Sequence, residues 1–463
     1  MRKSVLWSLR LGFTSKNATE IENVGLESFL KSSFGSFVDD KLPDFLADSP
    51  KSLAEIRAFR AKLNQATPEE KQKIRKSEVR KSFLLQQWWI GKMQQTPYPL
   101  REKMVCFWHN HFVSTIKKVK VNYWIYQHHM TLQKHAFGNF KELTKAMVHT
   151  NALISYLDNQ KSRNNKVNEN LSRELLELFT LGIGNYTEND IKNGARALAG
   201  LGFGDEQGEY RRSFENQDPT TYFGRTGNFD ANTLVDIIFG QPNIPYFITE
   251  KILKWFIYDD PDTKLVKYYG DYFRSVNFEI QPLLLKIFTE EYTKENAGSR
   301  IKDPLLYILQ LLHELNIENM DVSRIALFLR QQGMELFNQP NVKGWEGGRS
   351  WLTTQTYLQR EKVADMLCFN KGQGAMKMNV PKIGLNGNIQ GIKPAIALNE
   401  MSMTSKDIIN ELSGKLLFNV DDSMFENMQA VLKYDFDPKS EGAGNNLLRL
   451  FNYIVKAPEY QIL

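Results

Sequence analysis

The chain has 463 residues, of which 42% are hydrophobic and 24% charged, and its net charge is +6. These values exclude a disordered or disulfide-stapled chain and fit a folded protein of about two or three packed lobes. Acids interleave with the bases throughout, which argues against a nucleic-acid footprint.

The start, Met1-Arg2-Lys3-Ser4-Val5-Leu6-Trp7-Ser8-Leu9-Arg10, is basic and then apolar, but Arg10 interrupts the run, so it reads as a poor secretory signal. Thr67-Pro68-Glu69-Glu70 reads as a capped start with proline at the first helical position. The helix it opens should run through Trp88 and Trp89 to Gln95 and close at Thr96-Pro97. Its basic run, Lys71-Gln72-Lys73-Ile74-Arg75-Lys76, is expected as a solvated face. Helices follow over 99–112, 119–136 (ended by Gly138) and 140–149, then a polar loop over 158–166.

A helix over 168–181 stops at Gly182, and Thr187-Glu188-Asn189-Asp190 opens another with Asp in the place of the capping-box Glu. The stretch from Gly200 to Asn228 reads as polar and poor in strands. Helical periodicity returns over 232–256, 281–291, 304–315 and 322–332. The Gly-, Lys- and Asn-rich tract 370–394 reads as a loop or small hairpin, and helices near 405–416, 423–432 and 445–455 close the chain.

The pattern predicts an all-α fold of about fifteen to eighteen helices with a minor irregular or β portion. Its expected divisions are an N-terminal helical segment (1–100), a His/Glu core (101–215) and a C-terminal helical region with a Trp-rich loop (216–463), packed as one continuous fold. No stretch reaches the roughly eighteen apolar residues needed to span a bilayer. The two cysteines, Cys106 and Cys368, imply no disulfide framework, although one bridge between them is compatible with the sequence.

Six of the seven histidines lie between His109 and His149. On a helix, Met104, Phe107, Trp108 and His111 share one arc, so His111 lies on the apolar face and His109 at its edge. Two residues apart means about 200° apart, so both rings reach one ion only if the helix ends there. His111 is either a core histidine or an imidazole aimed into a polar cavity with Trp108 as a wall. His128 and His135 are about 10 Å apart along their helix and read as structural. No His-Glu-x-x-His or Cys-x-x-Cys spacing is present.

Asn170, Arg173, Glu174 and Glu177 form a second stripe at helical spacing. It is either a solvated face with an Arg173–Glu177 pair or a cavity-facing set in which the two glutamates act as ligands or as an acid–base pair. A third segment, Asn338 to Trp351, combines Asn341, Lys343, Trp345 and Trp351 in a turn-rich loop, either a sugar-stacking surface or a plug between lobes.

These segments resemble the large bacterial family called domain of unknown function 1800. The resemblance rests on Phe107-Trp108-His109-Asn110-His111-Phe112, on Tyr156-Leu157-Asp158-Asn159, and on Asn168-Glu169-Asn170 with Arg173-Glu174-Leu175-Leu176-Glu177-Leu178-Phe179-Thr180-Leu181-Gly182. It extends to Leu9-Arg10-Leu11-Gly12-Phe13, Tyr186-Thr187-Glu188, Pro340-Asn341-Val342-Lys343-Gly344-Trp345 and Pro458-Glu459-Tyr460-Gln461, and so covers the whole chain. Departures fall at Ala199-Gly200-Leu201, Gln217-Asp218, Gln339, Glu346 and Phe179, the last a histidine in many members. The resemblance implies export to the periplasm or envelope and a partner related to sulfatases and phosphatases, but no reaction.

Two functions follow as expectations. In the first, a hydrolase or metal-assisted enzyme acting on an extracellular polymer, His111 is a base or metal ligand and Glu174 and Glu177 are ligands or acid–base partners. One divalent metal ion is then the candidate cofactor, held by His111, Glu174 and Glu177. Arg173 is an anion clamp or an orienting group, while His109, Trp108, Asn170, Asn341, Lys343, Trp345 and Trp351 bind substrate. In the second, the polar motifs are a buried network in a non-catalytic accessory protein.

Overall fold

A computed structural model describes residues 1–318, 320–369, 393–398, 404–432 and 436–463. Apart from Lys393 and Pro394, the expected loop at 370–394 lies outside them. Within the described residues the fold is all-α, with twenty-two helical segments and two small antiparallel sheets. Their buried apolar side chains form one contiguous cluster from Val5 to Leu463. No helix among them is long and apolar enough to cross a membrane.

The helix count exceeds expectation mainly at the N-terminus, where Lys3–Leu11, Ala18–Val24, Leu26–Phe34 and Leu53–Gln65 are all helical. The first of these escapes an amphipathic pattern because Ser4 to Leu11 are all buried. Arg10, which breaks the apolar run in the sequence, is fully buried, with its two terminal nitrogens bonded and Nε without a partner among the described residues. Its guanidinium donates to the Asn296 carbonyl oxygen at 2.7 Å and to Ser299 Oγ at 2.9 Å. Helices at Thr263–Ser275 and Thr354–Phe369 were also without a sequence expectation.

Local chemistry sets most of the anticipated boundaries. Thr67 and Glu70 form the capping box that opens Pro68–Gln95, whose basic first half stays largely in solvent while Leu85, Trp89, Ile90 and Met93 enter the core. The predicted 119–136 helix is broken: Lys120 takes a left-handed φ of 59°, and the helix begins again at Asn122. The predicted 232–256 helix is likewise two, Ala231–Ile238 and Ile244–Phe256, separated at Gly240-Gln241-Pro242. Between 200 and 228 the polar tract folds into two hairpins, β1 (Leu201–Gly202) with β2 (Glu209–Tyr210) and β3 (Thr220–Tyr222) with β4 (Arg225–Gly227). Cys106 and Cys368 are both free, buried thiols, which removes the disulfide.

A buried arginine ties the C-terminal third together. Arg360 donates from Nε to Gln332 Oε1 (3.1 Å), from Nη1 to Gln461 Oε1 (3.1 Å) and from Nη2 to the Lys302 carbonyl (3.0 Å). Its charge lies 4.8 Å from the Tyr307 ring centre. Replacing it with methionine keeps the bulk and strands three buried acceptors. Arg360→Met is therefore expected to lower unfolding stability by about 2–4 kcal/mol in a urea titration followed by circular dichroism. An unchanged midpoint would show that the bonds are not needed.

Candidate functional site

The Leu100–His111 helix ends where the resemblance to a known family is densest. Successive residues on a helix point about 100° apart, so the last three face three different segments. Each is tied to its own partner.

His109 faces the Asn122–His135 helix and is fully buried. Its Nε2 lies 3.1 Å from His129 Nδ1, and its carbonyl accepts from Gln339 Nε2 at 3.0 Å. The chain of bonds continues through His129 Nε2 to Gln133 Nε2 (3.4 Å) and from Gln133 to both Glu102 oxygens (2.9 Å each). Trp89 Nε1 donates to Glu102 Oε2 at 2.7 Å. The Gln133 amide nitrogen can only donate, so His129 accepts at Nε2 and donates from Nδ1 to His109. The His109 proton then sits on Nδ1, which has no partner among the described residues. Burial pushes both rings well below the usual histidine range and pushes the Glu102 carboxyl up.

Asn110 faces the third motif. Its Oδ1 accepts the Trp345 amide at 2.5 Å and its Nδ2 donates to the Trp345 carbonyl at 3.3 Å. The adjoining Gly344 has φ +86°, and a Cβ there would sit 2.5 Å from the Asn110 carbonyl oxygen. Glycine is required at that approach.

His111 faces the second motif. Its Nε2 is 2.9 Å from the Phe179 carbonyl and its Nδ1 is 3.3 Å from Lys251 Nζ. A carbonyl only accepts, so the ring proton is on Nε2 and the Nδ1 lone pair faces the lysine. Burial, reinforced by the neighbouring Lys251 charge, holds the ring well below the usual histidine range. Lys251 also donates to the Leu178 carbonyl at 2.9 Å, and burial brings it down to about 7.

Those two carbonyls lie in the last turn of their helix, where carbonyls have no intrahelical partner, and that helix also changes character. Asn170–Glu174 is α-helical, but Leu175–Thr180 is a π-helix. Wide turns of this kind leave carbonyls open to side chains and often mark functional places. The change also breaks the expected stripe. Arg173 does not pair with Glu177; it makes a two-point bond to Glu188 (3.0 and 3.1 Å) and one to Glu169 (3.2 Å). Glu177 instead accepts the Tyr186 hydroxyl at 2.8 Å. Glu174 is half-buried; burial and then Glu177 raise its carboxyl, against the opposing charges of Arg173 and Lys343.

The remaining expected residues scatter between core and surface. Trp108, Trp345 and Trp351 are buried, so the sugar-stacking reading loses its platform and the plug between elements is what forms. Trp108 donates from Nε1 to the Ala136 carbonyl at 3.1 Å. Asn170, Asn341 and Lys343 are exposed, with Asn341 Oδ1 accepting the Lys343 amide at 2.8 Å. His128 is structural, bonded to the Phe112 carbonyl (2.9 Å) and pushed down to about 4 by burial.

The metal set is not brought together. Among the described residues no group of three His, Cys, Asp or Glu side chains is placed to hold an ion, and both His111 nitrogens face other partners. A cleft of about 1260 Å³ does exist, but it lies at the C-terminal end, lined by Asn427, Asn445, Asn452, Tyr453 and Lys456 among others, and contains none of the expected residues.

Sequence reasoning missed Lys251, His129, Glu102 and the clamping role of Asn110. Lys251 did carry a signal: it shares the buried arc of Ile244, Ile248 and Trp255 on the Ile244–Phe256 helix.

The chain belongs to the family described as "Protein of unknown function (DUF1800)", whose model matches residues 4–462. No curated protein and no solved structure matches it.

Two outcomes are expected from this geometry. Gly344→Ala forces a left-handed alanine against Asn110 and should destabilise the fold by about 2–4 kcal/mol, read as a lower melting temperature. The buried histidines also set a pH dependence. Their folded values lie below the unfolded value of about 6.5, so the unfolded chain binds more protons beneath that pH. Stability is therefore fully present above about 6.5 and is lost as pH falls towards the His128 value of about 4. Denaturant titrations at stepped pH check this; a flat profile over that range would contradict it.

Proposed function

We propose that this member of the family is a non-catalytic binding protein at the bacterial envelope, in which the motif residues form a buried lock that shapes an exposed polar face. The face consists of exposed Asn170, Asn341 and Lys343 with half-buried Glu174, Glu177 and Tyr186. One observation carries the reading: apart from His109 Nδ1, the side-chain polar atoms of His109, Asn110 and His111 are spent on three other segments of the chain. Buried polar groups are bonded to hold elements in register, and a half-satisfied set is costly.

The face itself suits a protein partner better than a small anion. Arg173, the expected clamp, is neutralised by Glu188 and Glu169, while Glu174, Glu177 and Lys343 offer both signs of charge at the surface. Mixed charge of this kind steers encounter and fixes register. The family resemblance supplies the partner class, a protein related to sulfatases and phosphatases.

Glu174 lies on this face and outside the buried network, so its substitution should not weaken the fold. Its folded carboxyl is raised, hence the charged form is disfavoured there at neutral pH, and Glu174→Gln is expected to leave the melting temperature unchanged or slightly higher. The same variant combined with Lys343→Glu should abolish co-elution with a sulfatase- or phosphatase-like protein encoded beside a family member. Co-elution that survives both substitutions, or that the unaltered protein never shows, would overturn the proposal.

A further inference from the structure

The Leu53–Gln65 helix and the first half of Pro68–Gln95 follow one another through Ala66-Thr67 and stand in solvent: no residue from Arg57 to Arg80 is buried. Residues 53–80 hold eight lysines and arginines against four acids, and so account for +4 of the chain's net +6. Three of those acids are already engaged. Glu55 and Glu70 close the capping boxes of the two helices, and Glu78 accepts from Lys81 at 3.0 Å and from Asn122 Nδ2 at 3.1 Å. Lys81, where burial begins, pairs with Asp48 and Glu78. The eight cations before it make no ion pair and no side-chain hydrogen bond with the described residues.

Helical spacing gathers these charges on outward arcs. Lys73, Lys76 and Arg80 sit at i, i+3 and i+7, and Arg57 and Arg60 share an arc with Asn64, all of them exposed. The apolar side chains Phe59, Leu63 and Ile74 are half-buried and turned inward. No aromatic side chain is left on the exposed arcs to stack against bases. Glu69 lies on the arc of Lys73 and Lys76, where a close-fitting polyanion would meet it as a direct repulsion. A smeared surface charge acts instead on the net charge of the segment, over a Debye length of about 10 Å, and tolerates an interleaved acid.

We infer that this basic helix pair is a peripheral docking surface for an anionic lipid bilayer. Clusters of about four to eight lysines and arginines on a solvated helix suit such a surface, and each cation held near it strengthens binding about fivefold. With its apolar side chains turned inward, the pair lies on the headgroups without inserting. Its ammonium and guanidinium groups keep their full attraction, since no internal carboxylate competes for them. The surface shares no residue with the polar face around Glu174 and Lys343, so it goes beyond the partner reading and stands or falls separately.

The test is co-sedimentation of the whole protein with sucrose-loaded vesicles of phosphatidylcholine, with and without phosphatidylglycerol. Binding is expected only to the phosphatidylglycerol vesicles and should fall at least about tenfold between about 0.05 M and about 0.5 M salt. The triple variant Lys73→Glu, Lys76→Glu and Arg80→Glu should weaken it at least about tenfold at the lower salt, with an unchanged melting temperature. A control triple, Lys192→Glu, Arg225→Glu and Lys264→Glu, alters the same charge at exposed positions elsewhere and should weaken binding less than about threefold. No sedimentation with the phosphatidylglycerol vesicles would overturn the inference, whether or not the protein then binds heparin. So would equal sedimentation with phosphatidylcholine alone, or equal losses in the two triples, which would make net charge and not this surface responsible.

Discussion

The close of the Leu100–His111 helix is the constraint on which the rest of the structure turns. A helix end carries unbonded carbonyls and rotates about 100° between residues, so three polar side chains in succession cannot share one neighbour. Here each is buried or nearly so, and each must find a partner of complementary kind. His109 finds a second imidazole, Asn110 finds the backbone of a glycine turn, and His111 finds a carbonyl in the last turn of a π-helix. Three stretches far apart in the sequence are thereby fixed against one helix.

This arrangement bears on the competing uses of the same residues. Open histidines and carboxylates at one cavity would suit acid–base or metal chemistry. Instead the histidines face inward as neutral rings, and the carboxylates lie outside with their own partners, Tyr186 for Glu177 and the weaker influence of Lys343 for Glu174. A net hydrogen bond contributes only about 0.5–1.5 kcal/mol, but an unmet buried group costs about 1–3. The asymmetry makes such a lock sensitive to single changes and gives it specificity out of proportion to its strength. Among the described residues, satisfaction is incomplete at His109 Nδ1, Gln339 Oε1 and Trp345 Nε1.

Much of the fold was legible because its signals are local. Thr67 with Glu70 and Thr187 with Asp190 form the caps that their spacing announced, and the all-α class follows from periodicity. The breaks at Lys120 and at Gly240-Gln241-Pro242 were less visible, since the apolar pattern runs through them. At the site, sequence identified the three segments but not how they meet. The stripe from Asn170 to Glu177 assumed 3.6 residues per turn, whereas the chain turns π-helical from Leu175, Glu177 accepts from Tyr186, and Arg173 pairs with Glu188. The tryptophans of the 338–351 loop read equally as a binding surface or as a plug, because composition cannot distinguish a side chain that lines a site from one that fills a core.

The account depends most directly on the state of His111, and nitrogen-15 NMR of the labelled histidine rings reads it. A neutral ring protonated on Nε2, unchanged from pH 8 down to about 5.5, is the predicted result, because burial and the Lys251 charge both oppose a second proton. A ring that titrates near the ordinary value of about 6.5, or one that carries its proton on Nδ1, would contradict it. Either finding would mean that His111 faces solvent or a ligand and that the helix end is a site and not a lock.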